Sequence, residues 1–255
     1  HPDFALLFAR SGPAAGARSW FYVSYDRCRT WQGPYALPAF GQRGIAARTD
    51  YLVNGPADCH LFLTAAKEDG SEGRPCCART RDGGRSFEFL SWIGPEPEGF
   101  AIMPASVRLP GGRILVAVRC REGRRAGPGS KEPAALRSWI DLYASDDDGA
   151  SWMYLGTPAQ NLGRSGNPPT LTLLADGRLC LTYGYRLKPY GIRARLSSDG
   201  GVTWSEEIVL RDDAATADLG YPRTVQRPDG KLVTVYYFSD DPKKERFIAA
   251  TIWSP

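Results

Sequence analysis

The chain has 255 residues, 42% apolar and 24% charged, with a net charge of +4. Such a chain can bury a substantial core, and its length permits one large all-β domain or two small ones. No apolar run approaches the roughly 20 residues of a membrane span, and no lysine-rich tail or basic–aromatic run argues for nucleic acid.

Taken in order, the sequence is a series of similar units. His1–Pro38 supplies three strands and the turn SYDRCRTW (Ser24–Trp31). Gly44–Gly94 carries TRDGGRSF (Thr80–Phe87), and Phe100–Gly156 carries SDDDGASW (Ser145–Trp152). The next unit reads as four strands, Pro169–Leu174, Leu179–Tyr185, Gly191–Ser197 and Glu206–Leu210, with SSDGGVTW (Ser197–Trp204) between the last two. Tyr221–Trp253 supplies three strands and stops before a further such turn. A second turn recurs as PGGRILVAV (Pro110–Val118), ADGRLCLTY (Ala175–Tyr183) and PDGKLVTVY (Pro228–Tyr236), each a glycine hairpin leading into an alternating strand. Asp82, Asp147 and Asp199 are 65 and 52 apart, while Gly112, Gly177 and Gly230 are 65 and 53 apart. Two independent motifs keep step, so the repeat is real and gives five sheet positions, three whole and two partial.

The first motif, Ser/Thr-x-Asp-x-Gly-x-Ser/Thr-aromatic, has Cys28 in place of glycine in its first copy. A short carboxylate can accept backbone N–H groups across a tight turn, and the closing aromatic can bury a large face. Asp26, Asp82, Asp147 and Asp199 therefore read as turn-makers rather than catalytic acids. The run Asp146–Asp148 lacks the glutamate an EF-hand needs, so it is not a calcium loop.

These four boxes resemble the Asp-box (BNR) repeats of the sialidase-like β-propellers. The resemblance implies an all-β propeller of four-stranded antiparallel blades, with 1–255 forming one domain. Because that family is usually six-bladed, it also implies a parent whose N-terminal part is absent here; a five-bladed ring closed imperfectly by its termini is the alternative. A missing blade would leave an apolar flank suited to self-association, or to a partner chain supplying strands.

Ligand sites belong on the face opposite the boxes, where the connecting loops vary. Residues where the innermost strands begin would surround the axis: Arg48, Asp50, Arg164, Asn167, Asp218, Tyr221 and Arg223. Ends of the second strands add Lys67, Arg119, Arg121, Glu122, Tyr183, Tyr185 and Arg186, and His1–Asp3 is placed at the same rim. Arginines with carboxylates and tyrosines suit an acidic sugar, the arginines clamping its carboxylate. The sialidase resemblance implies more: an arginine clamp drawn from Arg48, Arg119, Arg186 and Arg223, with Lys67, Arg164 and Asp218 also binding substrate. It implies Tyr221 as nucleophile, Asp50 as acid, and Glu122 or Glu72 as activator. The Arg-Ile-Pro signature of that family is absent. Bland readings compete: Arg223 bracing Asp218, Asp50 in a surface pair with Arg48, Tyr183 and Tyr185 as packing, His60 as structural.

The 32 basic residues comprise 6 lysines and 26 arginines, which suits an anionic ligand or reflects a GC-rich genome. The six cysteines show no CxxC spacing, which argues against zinc and favours a reducing, cytoplasmic compartment; an export signal ahead of His1 would be invisible. The leading reading is a sialidase-like glycoside hydrolase acting on an acidic sugar without metal or cofactor. The alternatives are a non-catalytic carbohydrate-binding propeller and a polysaccharide lyase.

Overall fold

The computed structural model describes residues 1–48, 50–123, 136–163, 165–243 and 245–255. Its strands form five antiparallel sheets in sequence order, a five-bladed β-propeller. Sheet I holds β1 (Ala5–Arg10), β2 (Ser19–Ser24) and β3 (Gln32–Leu37). Sheet II holds β4 (Tyr51–Gly55), β5 (Asp58–Ala66), β6 (Glu72–Thr80) and β7 (Glu88–Trp92). Sheet III holds β8 (Phe100–Arg108), β9 (Ile114–Glu122), β10 (Arg137–Ser145) and β11 (Met153–Gln160). Sheet IV holds β12 (Thr170–Leu173), β13 (Leu179–Tyr185), β14 (Gly191–Ser197) and β15 (Ile208–Arg211). Sheet V holds β16 (Gly220–Gln226), β17 (Leu232–Phe238) and β18 (Phe247–Trp253).

Alternation in the sequence decides which side of each strand is buried. In β17, Leu232, Thr234, Tyr236 and Phe238 face sheet IV, while Val235 between them is exposed. Hydrophobic contact is confined to gaps between successive sheets. Leu6, Phe8 and Phe21 of sheet I meet Leu61 and Leu63 of sheet II. Phe62 and Cys77 meet Val116 and Val118, and Leu115 and Leu142 meet Leu179 and Leu181. Leu174 and Cys180 meet Leu232, and Ile192 meets Tyr236 and Phe238. The far flank of sheet V carries exposed Val225, Val235, Ile248 and Ile252.

The four Ser/Thr-x-Asp turns share one hydrogen-bond set. In the last, Ser197 Oγ donates to Asp199 Oδ1 at 2.8 Å and accepts Gly201 N–H at 2.9 Å. Asp199 also accepts Thr203 N–H at 2.9 Å and Thr203 Oγ1–H at 2.5 Å. Asp26, Asp82 and Asp147 repeat this with Thr30, Ser86 and Ser151. These hydroxyl and amide donors favour the ionised form and hold all four carboxyls down to about 2. The closing aromatics then reach back to the preceding sheet: Phe87 lies 5.4 Å from Phe21, and Trp152 lies 6.2 Å from Phe62 and donates to Ser91 Oγ.

Since neighbouring strands within each sheet pair antiparallel, all four turns lie on one face of the propeller and the inter-sheet loops on the other. His1–Asp3 precedes β1 and therefore lies on the turn face, not on the loop rim expected from the sequence. Asp3 is bonded there to Arg27 at 2.6 Å, and the His1 ring stands edge-on to Tyr25.

Candidate functional site

The inner strands β4, β8, β12 and β16 adjoin one another around the axis, and sheet I presents β1 there. Two of these strands break register at matching places, between Ile102 and Ala105 and between Gly220 and Arg223. Each break holds a residue followed by proline: Met103–Pro104 and Tyr221–Pro222. Proline has no N–H for the ladder, so a bulge is where a strand tolerates it. Met103 and Tyr221 both take positive φ, 55° and 51°. The two bulges turn these side chains into an axial cavity of about 330 Å³, whose wall also includes Arg10, Arg48, Arg223 and the Pro168–Pro169 pair.

The cavity is polar on the side of sheets I, II and V. Arg48 Nη2 donates to Glu72 at 2.5 Å, while Nη1 is shielded from solvent and has no hydrogen-bond partner among the described residues. Burial and the neighbouring Arg48 charge lower the Arg10 pKa, with Glu72 and Tyr221 acting in the opposite sense. Asp50 does not line the cavity but lies within electrostatic reach of Arg223, which does. Its Oδ2 is sealed from solvent, and among the described residues neither it nor the nearby Ser106 Oγ has a partner of good geometry. Burial pushes the Asp50 carboxyl up to about 7, opposed by Ser106 and the Arg223 charge.

Tyr221 stands where two further arginines meet. Arg119 lies beside its phenol within hydrogen-bonding reach and donates to Ser165 O at 2.6 and 2.9 Å. Burial lowers the Arg119 pKa to about 10. The Tyr237 ring is 5.8 Å from that of Tyr221, and its hydroxyl accepts from Arg186 at 3.0 Å. Tyr237 in turn donates to Asp218, which also pairs with Arg246 at 3.1 Å.

Other sequence candidates sit elsewhere. Lys67 is buried, but its Nζ is directed to the carbonyls of Pro97 and Glu98, where it braces a loop. Glu122 is paired with Arg137 on the neighbouring strand at 3.0 Å, away from the cavity. Glu72, the other candidate activator, is the carboxylate beside the arginines. Tyr183 is fully buried and bonds Glu207 at 2.8 Å, and the Arg193 guanidinium lies over the Tyr185 ring. His60 is buried and bonded to Asn54 and to the carbonyl of Asp148. Arg164 lies outside the described residues. Arg10 and Met103 were not among the sequence candidates. Arg10 closes a second strand as Arg119 nearly does, and Met103–Pro104 repeats the aromatic-or-apolar–proline pattern of Tyr221–Pro222, so both had a signal. Among the described residues no group of three or more His, Cys, Asp or Glu could hold a metal ion.

Comparison with solved structures fits this architecture. A protein of unknown function from Dyadobacter fermentans superimposes with a TM-score of 0.76 and 23% identity, over 98% of this chain and 73% of that one. The NanB sialidase of Streptococcus pneumoniae gives 0.62 and 15% identity, over 93% of this chain and 36% of that one. The α-L-arabinofuranosidase of Fusarium graminearum gives 0.57 and 16% identity, over 81% of this chain and 62% of that one. At such identities the likeness shows the fold alone. No family model and no curated protein sequence matches the chain.

Proposed function

We propose that the axial cavity is the active site of a sialidase-like glycoside hydrolase acting on an acidic sugar. One observation carries this reading: Arg10, Arg48 and Arg223 converge on the same cavity as Tyr221. Three guanidiniums lining one cavity suit a carboxylate better than a neutral ring. The sialidase and arabinofuranosidase among the structural neighbours support glycoside hydrolysis as the class of reaction. The Asp-box reading of the turns, and a six-bladed parent, belong to the same proposal.

In the proposed reaction the Tyr221 oxygen bonds to the anomeric carbon as the bond to the leaving oxygen breaks. A neutral phenol approaches a carbon bearing a carboxylate without the repulsion an aspartate would meet. Glu72 takes the phenol proton, in place of the outlying Glu122. Asp50, its carboxyl pushed up to about 7 and so still partly protonated at neutral pH, supplies the proton of the leaving group. Water then attacks the anomeric carbon and gives its proton to Asp50, while the departing Tyr221 oxygen takes back its proton from Glu72, which restores all three groups. A screen of the protein against sialosides and uronic-acid glycans tests this, with release of a reducing acidic sugar as the expected result. Binding without turnover would favour the second reading, a carbohydrate-binding propeller, which the withdrawn position of Asp50 from the cavity wall supports.

A further inference from the structure

We infer that Asn167 is the positioning residue for Tyr221, holding its strained backbone so that the phenol enters the cavity. The inference rests on the reading of Tyr221 above. Asn167 is fully buried in the loop before β12, and both ends of its amide are spent on the backbone flanking Tyr221. Its Nδ2 donates to Leu219 O at 2.9 Å and its Oδ1 accepts Tyr221 N–H at 2.8 Å. A carbonyl on one side and an N–H on the other leave the amide a single orientation.

The amide sits in a slot made by two glycines. A Cβ on Gly184 would stand 2.7 Å from the Asn167 Cγ, and one on Gly220 would stand 2.3 Å from its Nδ2. Asn167 begins a ladder between the inner strands of sheets IV and V. Thr170 Oγ1 donates to Pro222 O at 2.5 Å, and Thr172 Oγ1 to Thr224 O at 3.2 Å. All three bonds span 52 residues in sequence. Thr170 holds the proline end of the bulge and Thr172 the regular strand beyond it; of the three, Asn167 is the one bonded to Tyr221 itself. Without it, Leu219 O keeps the Arg186 guanidinium, which donates to it at 2.9 and 3.3 Å, but the Tyr221 N–H loses the side-chain oxygen that holds it.

The test uses Asn167→Ala and Gly184→Ala, the second displacing the amide without removing it. Hydrogen exchange at the Tyr221 amide is read together with the phenol titration of ¹³Cζ-labelled tyrosine, assigned through Tyr221→Phe. The expected result is exchange about tenfold faster at Tyr221, the scale of a lost buried hydrogen bond, with central β13 amides unchanged and the Tyr221 titration midpoint displaced. An unchanged Tyr221 amide and titration in either folded variant overturns the inference. Loss of protection spread evenly over sheets IV and V also overturns it, since that is a merely structural role. Neither readout requires turnover, so absence of hydrolase activity in the parent would defeat the functional reading and leave this measurement intact.

Discussion

Arg48 holds Glu72 with its terminal nitrogen Nη2 and keeps Nη1 sealed from solvent without a partner among the described residues. A buried donor left unmatched costs free energy. A ligand anion recovers it only together with a side-chain shift that uncovers Nη1 to the cavity.

Arg48→Lys keeps the charge but loses the planar fork that can serve Glu72 and a ligand together. Its affinity for a monosaccharide acid should fall about tenfold or more, with Arg223→Ala at least as damaging. Isothermal titration with sialic and glucuronic acids measures both. Equal affinities in variant and parent would place the anion elsewhere.

Tyr221→Phe should bind such acids almost as the parent does and lose turnover, because the ring still packs near Tyr237 while the oxygen is gone. Turnover and binding assays run side by side separate a nucleophile from a packing residue. Full activity in the variant would remove Tyr221 from the chemistry.

Asp50 makes stability depend on pH in an unusual direction. Its folded pKa, about 7, lies above the ordinary value near 3.9, so the folded state retains a proton that the unfolded chain has lost. Its contribution therefore worsens as pH rises from about 4 to about 7, reaching roughly 4 kcal/mol of cost above that window. Asp50→Asn should abolish this slope and be the more stable protein at pH 8, read by urea denaturation across pH. The turn aspartates act oppositely: held near 2, they lose their stabilisation as pH falls below about 4. A parent with no loss of stability between pH 5 and 8 would contradict the burial of Asp50.

Cys28 takes φ +66° at the turn position that glycine fills in the other three copies. Cys28→Gly should raise stability by about 1 kcal/mol, since a Cβ is disfavoured in the left-handed region. Gly201→Ala should do the reverse, because its added Cβ would meet Leu142 Cδ2 at 2.7 Å as well as the backbone penalty. Thermal or chemical denaturation of the two variants gives the signs.

The repeat made the strands legible: Leu179–Tyr185 and Gly191–Ser197 are read from sequence with the bounds the structure gives. The turns were legible because each residue in them answers a local need. Placement around the axis was legible only where a strand begins, as for Arg48, Tyr221 and Arg223. Glu122 was not, because side chains alternate along β9: Arg121 turns to Phe100, and Glu122 turns out to Arg137. Lys67 follows the end of β5, and its long stem carries the charge to loop carbonyls rather than to the cavity. Arg10 was overlooked since sheet I lacks the inner strand seen in sheets II to V, and so brings its β1 to the cavity.

The hydrophobic clusters lie one after another, each shared by two neighbouring sheets. Each boundary therefore needs to satisfy only the pair that meets there, as in a stack whose units see their neighbours and nothing beyond. Substitutions accepted at one boundary impose no repair at the next. Sequences can then diverge boundary by boundary while the ring geometry persists, which is how a 16% identical enzyme still follows most of this backbone.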